Sequence, residues 1–476
     1  MSSITPISNF GRNVTVKPSH YYEPSSEAEL LEILTQHRSG QIRVMGAKHS
    51  WSPLIQTQAA LVNMKNFNRV EVNRLEENTY VTIGAGCQIK NVLKILSRQG
   101  LTLPSVGLIT EQTIAGAIAT GTHGSGKHCL SHYVTKVQLA CYAQAHEPQI
   151  IEITDGPELR AAQCSLGAMG VMVSVTLPCV PQYYVQEKST ACNTIDEVLA
   201  LEKKTPLQQF FLIPHSWTYF VQQRQVAKQN KRAGAAWLYR LYWFWTIDVG
   251  LHLSLITFAV ILRSSKLVQF LYRRLLPSFL FQNWVVTDRS DRQLVMENEL
   301  FSHLEMEVFV KRSDLRDALD CIIDLLKLGD DPSHQINPQL KSNLINGGLW
   351  NQVTDIKGCH SHHYPICCRR IQPDQTMLSM TSGADEDWYS ISLITYTYPR
   401  ETFYTLAQTI AKCLFYLFEA RLHWGKWFPL EAEQVRQQYP DLEHFRQICQ
   451  YYDPSGVFQN TFVQEKCGFR QTISVK

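Results

Sequence analysis

Residues 103–142, LPSVGLITEQTIAGAIATGTHGSGKHCLSHYVTKVQLACY, constrain this chain more than any other stretch. Gly107, Gly116, Gly121, Gly124 and Gly126 are crowded there among Ala, Ser and Thr. A surface of such small side chains lets something bulky approach the backbone closely. GTHGSG lacks the G-x-G-x-x-G spacing of a dinucleotide fingerprint and does not open a helix directly after a strand. It is not a Walker loop either, because no GK[ST] closes it. Backbone N–H groups in turns of this kind still suit phosphate oxygens.

Two other segments share the theme. In RVMGAKHSWSP, residues 43–53, a buried strand ends in a small-residue turn that presents His49 and Ser50. In CSLGAMGVMVSVTLPCV, residues 164–180, Gly167 and Gly170 precede a strongly alternating strand. Upstream, PSSEAELLEILTQH reads as a helix, with Ser26 and Glu29 at capping-box spacing. TYVTIGAGCQ reads as a β-branched strand, and IKNVLKILSRQG as a helix closed by Gly100.

A chain of 476 residues exceeds one ordinary core, so two domains are expected. With 45% hydrophobic and 18% charged residues, disorder is excluded. The net charge of +3 and the lack of any zinc-finger spacing, RNA-binding signature or basic arm exclude a nucleic-acid partner. Thirteen cysteines without regular spacing do not form a disulfide framework and suggest a reducing compartment. The start, MSSITPISNFGRN, has no apolar core behind a basic region, so no secretory signal is read and an intracellular location is expected. Residues 241–262 are different: 22 residues between Arg240 and Arg263 carry only Asp248 and His252 as polar breaks of note. That length is enough to span a bilayer, yet a buried acid and histidine argue against a lipid-facing span. An interfacial helix in contact with a membrane, a buried helical cap and a true span all remain open.

Taken together, RVMGAKHSWSP, GTHGSG and SLGAMGVMVSVTL resemble, in order and spacing, the flavin-binding domain of the vanillyl-alcohol oxidase superfamily. More narrowly the chain resembles the FAD-linked sugar-lactone and polyol oxidases, the group of the L-gulonolactone, D-arabinonolactone and alditol oxidases. RLHWGKWFPLEAEQVRQQYPDLEHFRQICQYYDPSGVFQN, residues 421–460, carries that group's HWGK signature and DPxGxFxN ending, with Leu422 where proline is usual. The resemblance covers nearly the whole chain. It implies an α+β fold of two domains: a PCMH-type FAD-binding domain over 14–182, and a substrate (cap) domain of antiparallel sheet and helices over 183–476. Residues 415–476 would return to the flavin.

The resemblance also implies site residues. His49 becomes the candidate for covalent attachment to the 8α-methyl of FAD, which requires a neutral imidazole held by a turn that cannot drift. Gly46, Ala47, Lys48 and Ser50 of the same turn are expected at the cofactor. So are Ser105, Gly107, Thr110, Thr113, Gly116, Thr120, Gly121, His123, Gly124 and Ser125, with Gly170 and Val171 on the adenine side. Catalysis falls to Arg369, His423 and Lys426, a cation near the flavin stabilising the anion formed on hydride transfer. Arg370 is a one-residue alternative, since a strand slip reverses which arginine faces the site. Cys367, or Cys368 in the slipped register, stands where relatives carry a glutamate. The cluster CHSHHYPICC, residues 359–368, matches no closed four-ligand pattern, so no metal is expected. The implied activity is oxidation of a CH–OH group of a sugar lactone or polyol, with electrons passing to oxygen or another acceptor. The alternative is a flavin-bearing, membrane-associated electron-transfer or binding protein with little sugar oxidase activity.

Overall fold

The computed structural model describes residues 5–469 except 76–77, 144–146, 297–298, 384, 397 and 399. Its helices and sheets are mixed, as an α+β chain requires. The first four residues of the N-terminal stretch lie outside the described part.

Two small sheets build the N-terminal part. Ile42–Met45 and His20–Tyr22 each pair in parallel with Ala60–Asn63. The helix Glu27–Gln36 connects them, capped by the Ser26 hydroxyl accepting from Glu29 N. The Glu29 carboxylate reaches back to Ser25 N at 2.7 Å, one residue earlier than the ideal box. A five-stranded antiparallel sheet runs in the order Gln149–Ile153, Lys136–Cys141, Val171–Pro178, Asn78–Gly84, Val70–Leu75. The short helix Ile114–Ala119 buries Ile114, Ala117 and Ile118 beneath it, so its small residues pack rather than project.

The C-terminal part is an eight-stranded sheet. In order its strands are Val286–Arg289, Tyr184–Cys192, Thr218–Val226, Gln209–Ile213, Ile366–Ile371, Trp388–Thr395, Leu304–Lys311 and Arg421–Leu422, each antiparallel to its neighbour. One face carries the helices Leu315–Asp330 and Glu401–Phe418, whose apolar sides are buried. The period of two in a strand sends alternate residues to the opposite face. The register aligns Phe211, Cys367, Ser392 and Glu307 in one cross-strand row on that opposite face.

Residues 424–457 pack back onto the N-terminal part. Trp51 N donates to Gly425 O at 2.8 Å, Ser52 Oγ to Trp424 O at 2.6 Å, and Ile42 N to Val457 O at 2.9 Å. The apolar segment forms a helix over Ala236–Ile261, with π turns at Phe244–Leu251 and Ile256–Ile261, and then reverses into Ser265–Phe279.

Candidate active site

A slot of about 1040 Å³ lies between the two N-terminal sheets. Its walls come from residues 43–51, from Thr113, Gly116 and Thr120 around the short helix, and from Leu166, Gly167 and Gly170. His423, Gly425 and Lys426 close one end. The turn after Ile42–Met45 is tight for a physical reason: a Cβ on Gly46 would lie 2.2 Å from Thr113 Oγ1. Lys48 then adopts φ +64°, which turns His49 inward to stack 5.0 Å from Phe10. Arg43, buried below the slot, ties three loops together by donating to Leu54 O at 2.6 Å, Leu166 O at 2.9 Å and Phe458 O.

Of the residues expected at the cofactor, Gly46, Ala47, Lys48, His49, Ser50, Thr113, Gly116, Thr120 and Gly170 meet in this slot. Others lie elsewhere. Ser105, Gly124 and Ser125 line a small neighbouring recess with Lys127, Arg224 and Arg369. Their hydroxyls are used internally, Ser105 Oγ donating to His128 O and Ser125 Oγ to Gln208 O. Gly107, Thr110, Gly121 and Val171 line neither the slot nor that recess. A Cβ on Gly107 would meet Thr122 Cγ2 at 2.7 Å, and Gly121, at φ +72°, abuts Met380. Val171 is fully buried in its strand, and Thr110 O accepts from Lys90 N at 2.9 Å. Close packing uses small residues as readily as a ligand does.

A second cavity of about 950 Å³ shares Trp51, Gln112, His423 and Lys426 with the slot, so the two meet at the HWGK segment. Its polar end holds His123, Glu305, Glu307, Arg369, Ser392, His423 and Lys426. Its remaining wall includes Leu108, Ile109, Phe211, Met296, Leu300, Phe301 and Ile394. Arg369 faces this chamber. Arg370 points to the helix-bearing face, 3.0 Å from Asp387 and 3.9 Å from Glu202.

The reading of sequence overlooked two carboxylates on Leu304–Lys311. Glu307 lies 3.2 Å from His123 Nε2 and 3.9 Å from Arg369 Nη1, and its Oε1 makes no hydrogen bond among the described residues. Glu305 accepts from Lys426 Nζ and, at 2.8 Å, from Ser392 Oγ. Burial works against ionisation of both. Lys426 and His303 together outweigh it at Glu305, and His123 leads the groups that outweigh it at Glu307; both carboxyls sit below their usual range. Burial pushes the His423 imidazole down to about 3, so it is neutral at pH 7. The signal was present in LEMEVFVK: two acids two residues apart, in a strand buried up to Val310, share one face. Ligating atoms of His123, Glu307 and His423 lie within 4.8 Å of one another. The cluster at 359–368 is used differently: His363 Nε2 accepts from Tyr396 N at 3.2 Å, and His360 Nδ1 bonds Thr402 Oγ1 at 3.1 Å.

At the slot, burial first and the Lys426 charge second bring His49 down to about 4, which keeps it neutral. Its Nδ1 lies 3.4 Å from Glu299 Oε2 without hydrogen-bond geometry. Burial raises the Glu299 carboxyl to about 7.

Comparison with known proteins gives the same outline. The family described as D-arabinono-1,4-lactone oxidase matches residues 175–466, and an FAD binding domain matches 18–143. A long-chain alcohol oxidase from an uncultured marine euryarchaeote is 43% identical over 455 residues, covering 95% of each chain. L-gulonolactone oxidase of Mus musculus is 24% identical, covering 96% of this chain and 97% of its own. The crystal structure of cholesterol oxidase from B. sterolicum superposes with a TM-score of 0.75 at 14% identity, covering 97% of this chain and 96% of that one. The chain belongs to the D-arabinono-1,4-lactone oxidase family, as an FAD-dependent oxidoreductase acting on CH–OH groups.

Proposed function

We propose that the protein oxidises the alcohol group of a long-chain substrate, with its CH–OH at the polar end of the chamber and its chain along the apolar wall. The observation that carries this reading is that wall: Leu108, Ile109, Phe211, Met296, Phe301 and Ile394, facing a floor where Cys367 replaces an expected glutamate. A thiol pushed above its ordinary value by burial is neutral and less polar than a carboxylate. The likeness to a long-chain alcohol oxidase at 43% identity supports the same substrate class. A sugar lactone or polyol is the second reading. The family description and the three charged groups Glu305, Glu307 and Arg369 favour it.

The slot residues fit FAD. Gly46 and Gly116 crowd Thr113 so closely that side chains there would fill the cradle, and His49 offers a neutral nitrogen with no hydrogen bond among the described residues. Held by the turn at Gly46, Ala47 and His49 and by Thr113 and Gly116, FAD would supply the hydride acceptor for oxidation of the carbinol carbon, with oxygen or another acceptor as the final electron sink. Glu307 Oε1 accepts the substrate hydroxyl's hydrogen bond and, with His123, takes its proton. Arg369 and Lys426 hold positive charge where negative charge develops. Phe211, Met296 and Phe301 exclude water around the chain. His49 is the proposed point of covalent attachment. Acid precipitation of His49→Ala is therefore expected to leave all flavin in the supernatant, against a yellow wild-type pellet. A wild-type supernatant that keeps all the colour contradicts covalency but not FAD binding.

The substrate reading is tested by a series of primary alcohols of rising length, with L-gulono-1,4-lactone alongside. Each buried methylene contributes at most about 0.8 kcal/mol, so kcat/KM should climb by up to about fourfold per carbon until the wall is filled. Cys367→Glu should flatten that climb and shift preference toward polyols. A flat wild-type series with fast lactone turnover would favour the second reading.

A further inference from the structure

We propose that residues 236–281 form a platform seated in the surface of an anionic bilayer, and that the chamber receives its substrate from that bilayer. The entry route rests on the long-chain reading above; the seating does not.

The platform has two faces. Leu251 and Leu255 of the long helix, with Val268, Leu271, Tyr272 and Leu276 of the returning segment, pack on Ile213 and Phe220 of the sheet and on Tyr396 just past the end of strand Trp388–Thr395. The opposite face presents Trp237, Leu241, Trp245, Leu253 and Ile261, then Phe270, Phe279 and Phe281, with Trp245 62% and Ile261 68% exposed. An apolar surface of this extent on a soluble chain marks a contact site. The helix is 26 residues, about 39 Å long, enough to cross a bilayer. It does not stand free to do so. At its middle, His252 is bonded by Tyr396 Oη at 2.8 Å and stacks on Phe301 at 5.1 Å, which fastens one face to the protein. Lipid therefore meets only the other face, as for a helix lying in the interface.

Charge identifies the occupant. Between residues 236 and 281 the sequence has five Lys and Arg against one acid, Asp248; Arg240 among them is paired with Asp288. Arg263, Lys266, Arg273 and Arg274 are exposed beside the apolar residues, the arrangement that binds anionic headgroups. Asp248 and His252 on the inner side of the helix line the chamber, as does Leu300, which is 51% exposed and adjoins Phe301. The chamber mouth at Leu300 thus opens beside the platform, where an apolar chain can pass from lipid to protein without crossing water.

The test is flotation of the purified holoenzyme with phosphatidylcholine vesicles, with and without phosphatidylglycerol. Wild type should float with the anionic vesicles and be released by high salt. Trp245→Glu/Leu253→Glu/Ile261→Glu should lower that binding by more than about tenfold. Its oxidation of a long-chain alcohol dissolved in the vesicles should fall in parallel, while a short, water-soluble alcohol is oxidised as before. If that variant fails to retain flavin, Arg263→Glu/Lys266→Glu/Arg274→Glu gives the same reading through charge alone. A monodisperse wild type that never floats, flotation that neither variant weakens, or a dimer that the variants dissociate without any lipid binding would overturn the proposal. Flotation by an enzyme inert toward every alcohol would leave the seating intact and remove the function it was thought to serve.

Discussion

Glu307→Gln is expected to slow substrate-driven flavin reduction by about a thousandfold while FAD stays bound. The side chain keeps its shape but loses the charge that the proposed proton transfer requires. Its environment is built for that charge: His123 stands 3.2 Å away, buried like Glu307 itself, and the half-buried Arg369 stands 3.9 Å away. The slot for FAD is lined by other residues, so cofactor retention is a fair control. Stopped-flow reduction under anaerobic conditions separates the two effects. Reduction slowed less than about tenfold would move the proton acceptor to another group.

Lys426→Met has two expected consequences. It leaves Glu305 buried without its cation, which costs about 3–5 kcal/mol of stability. It also removes positive charge from the point where slot and chamber meet, which should slow flavin reduction by about a hundredfold. The double variant Lys426→Met/Glu305→Gln distinguishes them. With the orphaned charge gone, the melting temperature should return toward wild type while reduction stays slow. Recovery of both would make Lys426 a structural residue only, and recovery of neither would mean that the ammonium holds the local fold through contacts other than Glu305, such as its position 4.2 Å over the Trp51 ring.

Local features were legible in the chain. Ser26 caps the helix it was read to cap, and the GAKHS turn is closed by a steric conflict at Gly46 that small residues alone avoid. Strand pairing was not legible, because partners lie far apart in sequence. The row Phe211, Cys367, Ser392 and Glu307 draws on four strands from separate parts of the chain and exists only once the sheet has its register. This is why Cys367 reads in the sequence as a lost acid, while Glu305 and Glu307 stand together on one strand two places away in the sheet. The same register sends Arg370 to the helix face and Arg369 to the chamber, an alternative that period-two reasoning raises but does not resolve. The small-residue stretch shows a complementary limit. Composition announces close approach, yet Gly107 and Gly121 approach protein whereas Gly116 lines the slot. The apolar segment is similar, since hydropathy reports what a helix is made of and not which face it spends on the sheet.

Anaerobic reduction of the wild-type flavin by a single long-chain primary alcohol tests the central claim most directly. The account predicts complete bleaching in one saturable phase, recovery of the yellow colour on admitting oxygen, and an aldehyde formed in equal amount. A flavin that stays oxidised with long-chain alcohols, polyols and sugar lactones alike would contradict it, and would leave a flavin protein that binds or passes electrons without oxidising a CH–OH group.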